Sequence, residues 1–133
     1  MQTQENIIIE FLLMKYPDLI AIYLFGSSAS ETQNIESDID LAIFPVKKLD
    51  KVELWMTSQQ LAGILKCDVD LVDLRNASTV MRMQIISSSK CFYESNRFQR
   101  EIFEDYVFSS YARLNEERKE IIKDIETKGT VYG

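Results

Sequence analysis

The chain has 133 residues, 46% of them hydrophobic, and a formal net charge of −6. That length supports one domain, residues 1–133, with a sizeable core and little room for a second substrate-binding domain. The acidic balance makes direct nucleic-acid binding an unexpected role, and the absence of histidine excludes Ser-His-Asp and Cys-His nucleophiles, histidine bases and mixed Cys/His zinc sites.

In chain order, Ile7, Ile8, Phe11, Leu12 and Met14 follow helical spacing, so a helix is expected from about Thr3 to Lys15, ending before Pro17. With Glu5 and Glu10 and no basic stretch, it should be neither a signal peptide nor a membrane span. Leu19 to Phe25 and Ile39 to Phe44 are apolar, β-branched and aromatic runs that read as strands, with Gly26 to Ser37 as the loop between them. Asp50 is a plausible N-cap for a helix running to Leu65, with Val52, Trp55, Met56, Leu61 and Leu65 partly matching one apolar face.

Cys67 to Leu74 reads as a third strand, and Asn76 or Ser78 could cap a short helix with Val80, Met83, Ile85 and Ile86 inward. The serine run Ser87 to Ser89 is the turn before a strand over Lys90 to Glu94. From Arg97 to about Thr127 runs a long helical pattern without glycine or proline, with Phe98, Ile102, Tyr106, Leu114, Ile121 and Ile125 among its apolar positions. Phe98, Phe103, Tyr106, Phe108 and Tyr111 exceed what one stripe needs; most are expected to pack on the sheet, the surplus being suited to a partner surface. Asn115 to Glu126 is charged enough to read as a solvated face. Together these elements make an α/β (α+β) domain, a small mixed sheet flanked by helices with a long C-terminal helix. Cys67 and Cys91 should be small buried thiols rather than a disulfide, which suits the cytoplasm.

The chemistry concentrates around Gly26-Ser27 and Ser37-Asp38-Ile39-Asp40. In a strand, Asp38 and Asp40 point one way while Ile39, Leu41 and Ile43 point the other. Two carboxylates about 7 Å apart on a half-buried face repel each other, and a divalent cation is their natural partner. Such a cation is commonly Mg²⁺, held by one or two carboxylates plus phosphate oxygens. Glycine at position 26 lets backbone approach a phosphate closely, and the hydroxyl and amide of Ser27 can donate to it. On the third strand, Asp68 and Asp70 share a face and Asp73 lies on the other; Asp70 would serve as general base, with Asp68 the competing choice by parity.

Gly26-Ser27, ten further residues and Asp38-Ile39-Asp40, followed by Val69-Asp70-Leu71-Val72-Asp73-Leu74, resemble the minimal nucleotidyltransferases of the DNA polymerase β superfamily, and more narrowly the MNT-domain antitoxins found beside HEPN-domain toxins. The resemblance implies the nucleotidyltransferase fold and transfer of AMP from ATP to a tyrosine of a HEPN toxin in a hetero-oligomer. It assigns Asp38, Asp40 and Asp70 to catalysis and to Mg²⁺ or Mn²⁺, and Gly26, Ser27 and Ser37 to the nucleotide. A binding-only antitoxin and a nucleotidyltransferase acting on a small molecule or RNA end are the alternatives. Ser28 to Glu31 (SASE) lacks the arginine and second glycine that relatives often carry, leaving Arg75, Arg82 and Lys47 as candidate phosphate-holding cations.

Overall fold

Three helix starts are set locally by oxygen side chains that accept from backbone N–H groups left without a partner inside the helix. Thr3 Oγ1 accepts from Asn6 N (3.1 Å), Asp50 Oδ2 from Glu53 N (3.0 Å) and Ser78 Oγ from Met81 N (3.1 Å). Of the two candidates for the third cap, Ser78 holds the position. The computed structural model describes residues 3–26 and 38–127. Within these the order is α1 (Gln4–Lys15), β1 (Ala21–Phe25), β2 (Ile39–Phe44), α2 (Lys51–Leu65), β3 (Val69–Asp73), α3 (Thr79–Ser88), β4 (Lys90–Glu94) and α4 (Arg97–Thr127). The strands and helices read from the sequence are all present, each end lying within two residues of its expected place, but Ser87 and Ser88, expected as a turn, form the last residues of α3 and Ser89 caps it.

The four strands form one mixed sheet in the order β3-β2-β1-β4. β1 runs antiparallel to β2 and β4, whereas β2 and β3 are parallel and are joined by the crossover helix α2. Alternation then divides the core in two. Ile22, Ile39, Leu41, Ile43 and Val69 face α1 and α2, where Ile8, Phe11, Leu12 and Leu61 close over them. Ala21, Tyr23, Ala42 and Phe44 face the other way, against Ile85 of α3 and Phe103 and Val107 of α4.

Two helices bury different faces from those their apolar residues suggest. On α2, Val52, Trp55 and Met56 are exposed, and the covered side is made by Thr57, Ser58 and Leu61. Thr57 Oγ1 meets the Tyr16 hydroxyl at 3.0 Å, and Ser58 Oγ donates to the Trp55 carbonyl at 2.7 Å, so polar side chains are buried there with partners. On α4 only Phe103 and Val107 are buried, while Phe98, Ile102, Tyr106 and Phe108 are exposed. Of the surplus aromatics Phe103 alone is buried in the core, stacked on Phe44 with ring centroids 4.2 Å apart.

A polar chain ties α4 to the sheet. The Tyr23 hydroxyl donates to Glu104 (2.7 Å), Arg100 bridges Glu104 and Glu94, and Arg97 adds a second contact to Glu94. Burial and the bond to Glu104 push the Tyr23 phenol well above its ordinary pKa. The Arg100 bond holds the Glu94 carboxyl below its ordinary range. Cys67 and Cys91 are free thiols, as the sequence suggested, but half-buried where burial was expected.

This packing makes a direct prediction for α4. In urea denaturation, Phe103→Ala should cost about 3–5 kcal/mol, the usual loss for a buried aromatic, and Phe98→Ala should stay within about 0.5 kcal/mol. Similar losses for both would mean that α4 packs by a different face.

Candidate active site

Parallel pairing of β2 with β3 decides which carboxylates meet. The register sets Ile39 against Val69 and Asp40 against Asp70. Neighbouring strands lie about 4.8 Å apart, so Asp40 and Asp70 are side by side on one face. The ladder continues through Ile39 N to the Asp68 carbonyl (2.9 Å), which carries Asp38 and Asp68 onto the next step outward on that face. Four aspartates thus occupy the starts of two adjacent strands. Asp70 is the one beside Asp40, and Asp73 is buried, accepting from Leu49 N and Arg75 N at 2.9 Å each.

On the other side of Asp40 stands β1. Phe25 pairs with Asp40, and Gly26 follows with φ +71°, in the left-handed region that favours glycine. A Cβ at position 26 would overlap the carboxylate of Asp40. Gly26 is therefore needed for two reasons, its backbone angle and the space that Asp40 occupies. Ser27 and Ser37, expected to contact the nucleotide, lie outside the described residues.

The electrostatics of the cluster are unfavourable by themselves. Burial raises the pKa of Asp40, and the charges of Asp70 and Asp38 raise it further. Among the described residues no group of three or more carboxylate or thiol side chains is arranged to hold a metal ion as they stand. The donor set still suits a hard divalent cation: all are carboxylate oxygens, and the repulsion raising Asp40 is what a cation would relieve. Asp38, Asp40 and Asp70 could hold one after side-chain rotation.

Arg75 and Arg82 are not at this end of the sheet. Arg75 Nε donates to the Pro45 carbonyl and its guanidinium lies 4.5 Å from the Phe44 ring centroid. Arg82 donates to the carbonyls of Leu74 (2.6 Å) and Arg75 (2.8 Å). Both sit where β2 and β3 end, opposite the starts that carry the aspartates, and Lys47 follows β2 at that same far end. The two arginine side chains hold the loops after β2 and β3, a role invisible without the register, and with Lys47 also at the far end the expectation that these three grip phosphate is corrected.

With the carboxylates on two parallel strands and a glycine turn beside them, the comparisons with known proteins fall into place. A family model described as polymerase beta, nucleotidyltransferase, matches residues 6–98. The chain belongs to that family. Protein adenylyltransferase MntA of Shewanella oneidensis is 42% identical over 124 residues, covering 93% of this chain and 88% of that protein. A chain of a crystal structure of a toxin–antitoxin with AMP-PNP is 41% identical with TM-score 0.83, covering 93% of this chain and 99% of its own length. Another, from tri-AMPylated Shewanella oneidensis HEPN toxin in complex with MNT antitoxin, is 39% identical with TM-score 0.77, covering 92% of this chain and 96% of its own length. The nucleotidyltransferase fold inferred from Gly26-Ser27 and the spaced aspartates is the observed one.

Repulsion at the site should be measurable in the metal-free protein. Like charges directly opposite on neighbouring strands cost roughly 0.2–1 kcal/mol, so Asp40→Asn should raise Tm by a few degrees at neutral pH. The sign with pH follows from the raised pKa: protonating Asp40 relieves the same cost in the native chain, so the gap between variant and native should close as pH falls into the carboxylate range. Calorimetric scans across pH would check this, and an Asp40→Asn variant less stable than native at neutral pH would contradict it.

Proposed function

We propose that this chain, residues 1–133 acting as one nucleotidyltransferase domain, is an antitoxin that transfers AMP from ATP to a tyrosine hydroxyl of a HEPN-domain toxin with which it forms a complex. The observation that carries the reading is the pairing of Asp40 with Asp70 where β2 and β3 start, beside Gly26. The relatives named above, an adenylyltransferase, a toxin–antitoxin with AMP-PNP and an MNT antitoxin in complex with a tri-AMPylated HEPN toxin, narrow the donor and the acceptor. Free thiols and the lack, among the described residues, of a helix long and apolar enough to cross a membrane are in keeping with a cytoplasmic protein.

In this reading Asp38, Asp40 and Asp70 hold the divalent cation, Mg²⁺ or Mn²⁺, which when bound supplies positive charge against the phosphates and the developing charge of the reaction. Gly26, Ser27 and Ser37 border the nucleotide. Asp70 accepts the proton of the tyrosine hydroxyl as its oxygen attacks the α-phosphorus, a new P–O bond replacing the one to pyrophosphate. Asp40 is the half-buried member of this set, and Asp38 and Asp70 are exposed.

A binding-only antitoxin has one observation in its favour: Arg75 and Arg82 are both committed to the far end of the sheet and do not grip phosphate. The two readings separate on the carboxylates. With a HEPN-domain toxin, labelled ATP and Mg²⁺, the native chain should add AMP to a tyrosine, Asp38→Asn should dock without transfer, and Asp70→Asn should retain ATP but transfer about 10²-fold or more slowly. Full neutralisation by Asp38→Asn with no label from the native chain would establish the binding-only reading instead. Slowing by Asp68→Asn rather than Asp70→Asn would move the base to Asp68.

A further inference from the structure

At the start of β3, between that edge strand and α2, lies a cavity of about 230 Å³ lined by Asp38, Gln59, Ala62, Asp68, Val69 and Asp70. Two residues of the active site, Asp38 and Asp70, are among its lining residues, and Gly26 is not. Resting on the proposed transfer of AMP to a protein tyrosine, we infer that this cavity is the acceptor subsite: it receives the tyrosine of the toxin, and Gln59 and Asp68 select an acceptor segment of positive charge.

The strand order argues for this side. β2, with Asp38 and Asp40, has β1 on one flank and β3 on the other. Gly26, the turn residue suited to close approach of a phosphate, is on the β1 flank, and Asp70, the base, is on the β3 flank. A nucleotide held from β1 leaves β3 as the side from which a hydroxyl reaches Asp70. Size agrees, since about 230 Å³ falls below the roughly 300–1,000 Å³ of sites that enclose whole small ligands and suits a single side chain.

Charge separates the two substrates further. A triphosphate is repelled by an uncompensated carboxylate, and Asp68 stands outside the set assigned to the cation. It remains a negative charge on the β3 flank, where lysine or arginine next to the acceptor tyrosine would be attracted and wrong partners of negative charge rejected. Gln59 adds an amide that can donate to or accept from the phenol or the acceptor backbone. Neither residue is buried, so both are open to a partner.

The test measures each substrate separately, using the full chain, Mg²⁺, ATP and the HEPN-domain toxin that it modifies. Gln59→Trp, which fills the cavity from an exposed helix position, and Asp68→Lys should each raise KM for the toxin tenfold or more, while KM and the calorimetric Kd for ATP stay within twofold. The near-isosteric Asp68→Asn should flatten the ionic-strength dependence of kcat/KM for the toxin. Loss of ATP affinity with toxin KM unchanged would assign the cavity to the nucleotide and overturn the inference, as would no change in either. If the native chain itself transfers no AMP, the adenylyltransferase reading fails first, and the subsite with it, before any variant is compared.

Discussion

The pairing of β2 with β3 is the constraint on which the rest of this protein depends. β2 is central and nearly wholly buried, with Asp40 the one strand position that is not. Because side chains alternate, a slip of one residue would turn Asp40 into the α1–α2 core and take Ile39, Leu41 and Ile43 out of it, onto the α3–α4 face. The burial of those three residues therefore fixes the carboxylate's direction. The parallel register then brings Asp70 beside it without any attraction between the two, the hydrophobic faces supplying what the charges lose.

That loss is concentrated at one end of the sheet. Acidic groups gather at the starts of β2 and β3, while Arg75 and Arg82 sit at the ends of the same strands, satisfied by backbone carbonyls and aromatic faces. Had either arginine stood beside Asp40 it would have neutralised the cluster permanently. With both arginines at the far end, neither offsets the charges of Asp70 and Asp38 that raise the Asp40 carboxyl. Gly26 belongs to the same arrangement, since any side chain there would displace Asp40.

α4 shows a different economy. A helix of 31 residues buries only Phe103 and Val107 and is held by the polar chain through Tyr23, Glu104, Arg100 and Glu94. Directional bonds do there what area does elsewhere, so α4 can keep apolar residues such as Phe98, Ile102 and Tyr106 outside the core.

Local chemistry determined much of this from the residues alone. Alternating apolar positions identified the strands, Asp50 marked the start of α2, and the spacing of Gly26, Asp38 and Asp40 carried the family because each requirement, a left-handed turn and two carboxylates on one face, is met within one hairpin. Tertiary structure decided what depends on distant partners. Parity put Asp68 and Asp70 on one face, with Asp70 preferred, and only the pairing of β3 with β2 shows which of them stands beside Asp40; nothing local says which end of the sheet an arginine after β3 will serve. The covered faces of α2 and α4 also escaped pattern reading: Thr57 and Ser58 are buried because Tyr16 and a helix carbonyl satisfy them, and Val52, Trp55 and Met56 stay outside because the sheet meets the opposite side. Hydrophobicity states that a residue could be buried, but the geometry of packing chooses which ones are.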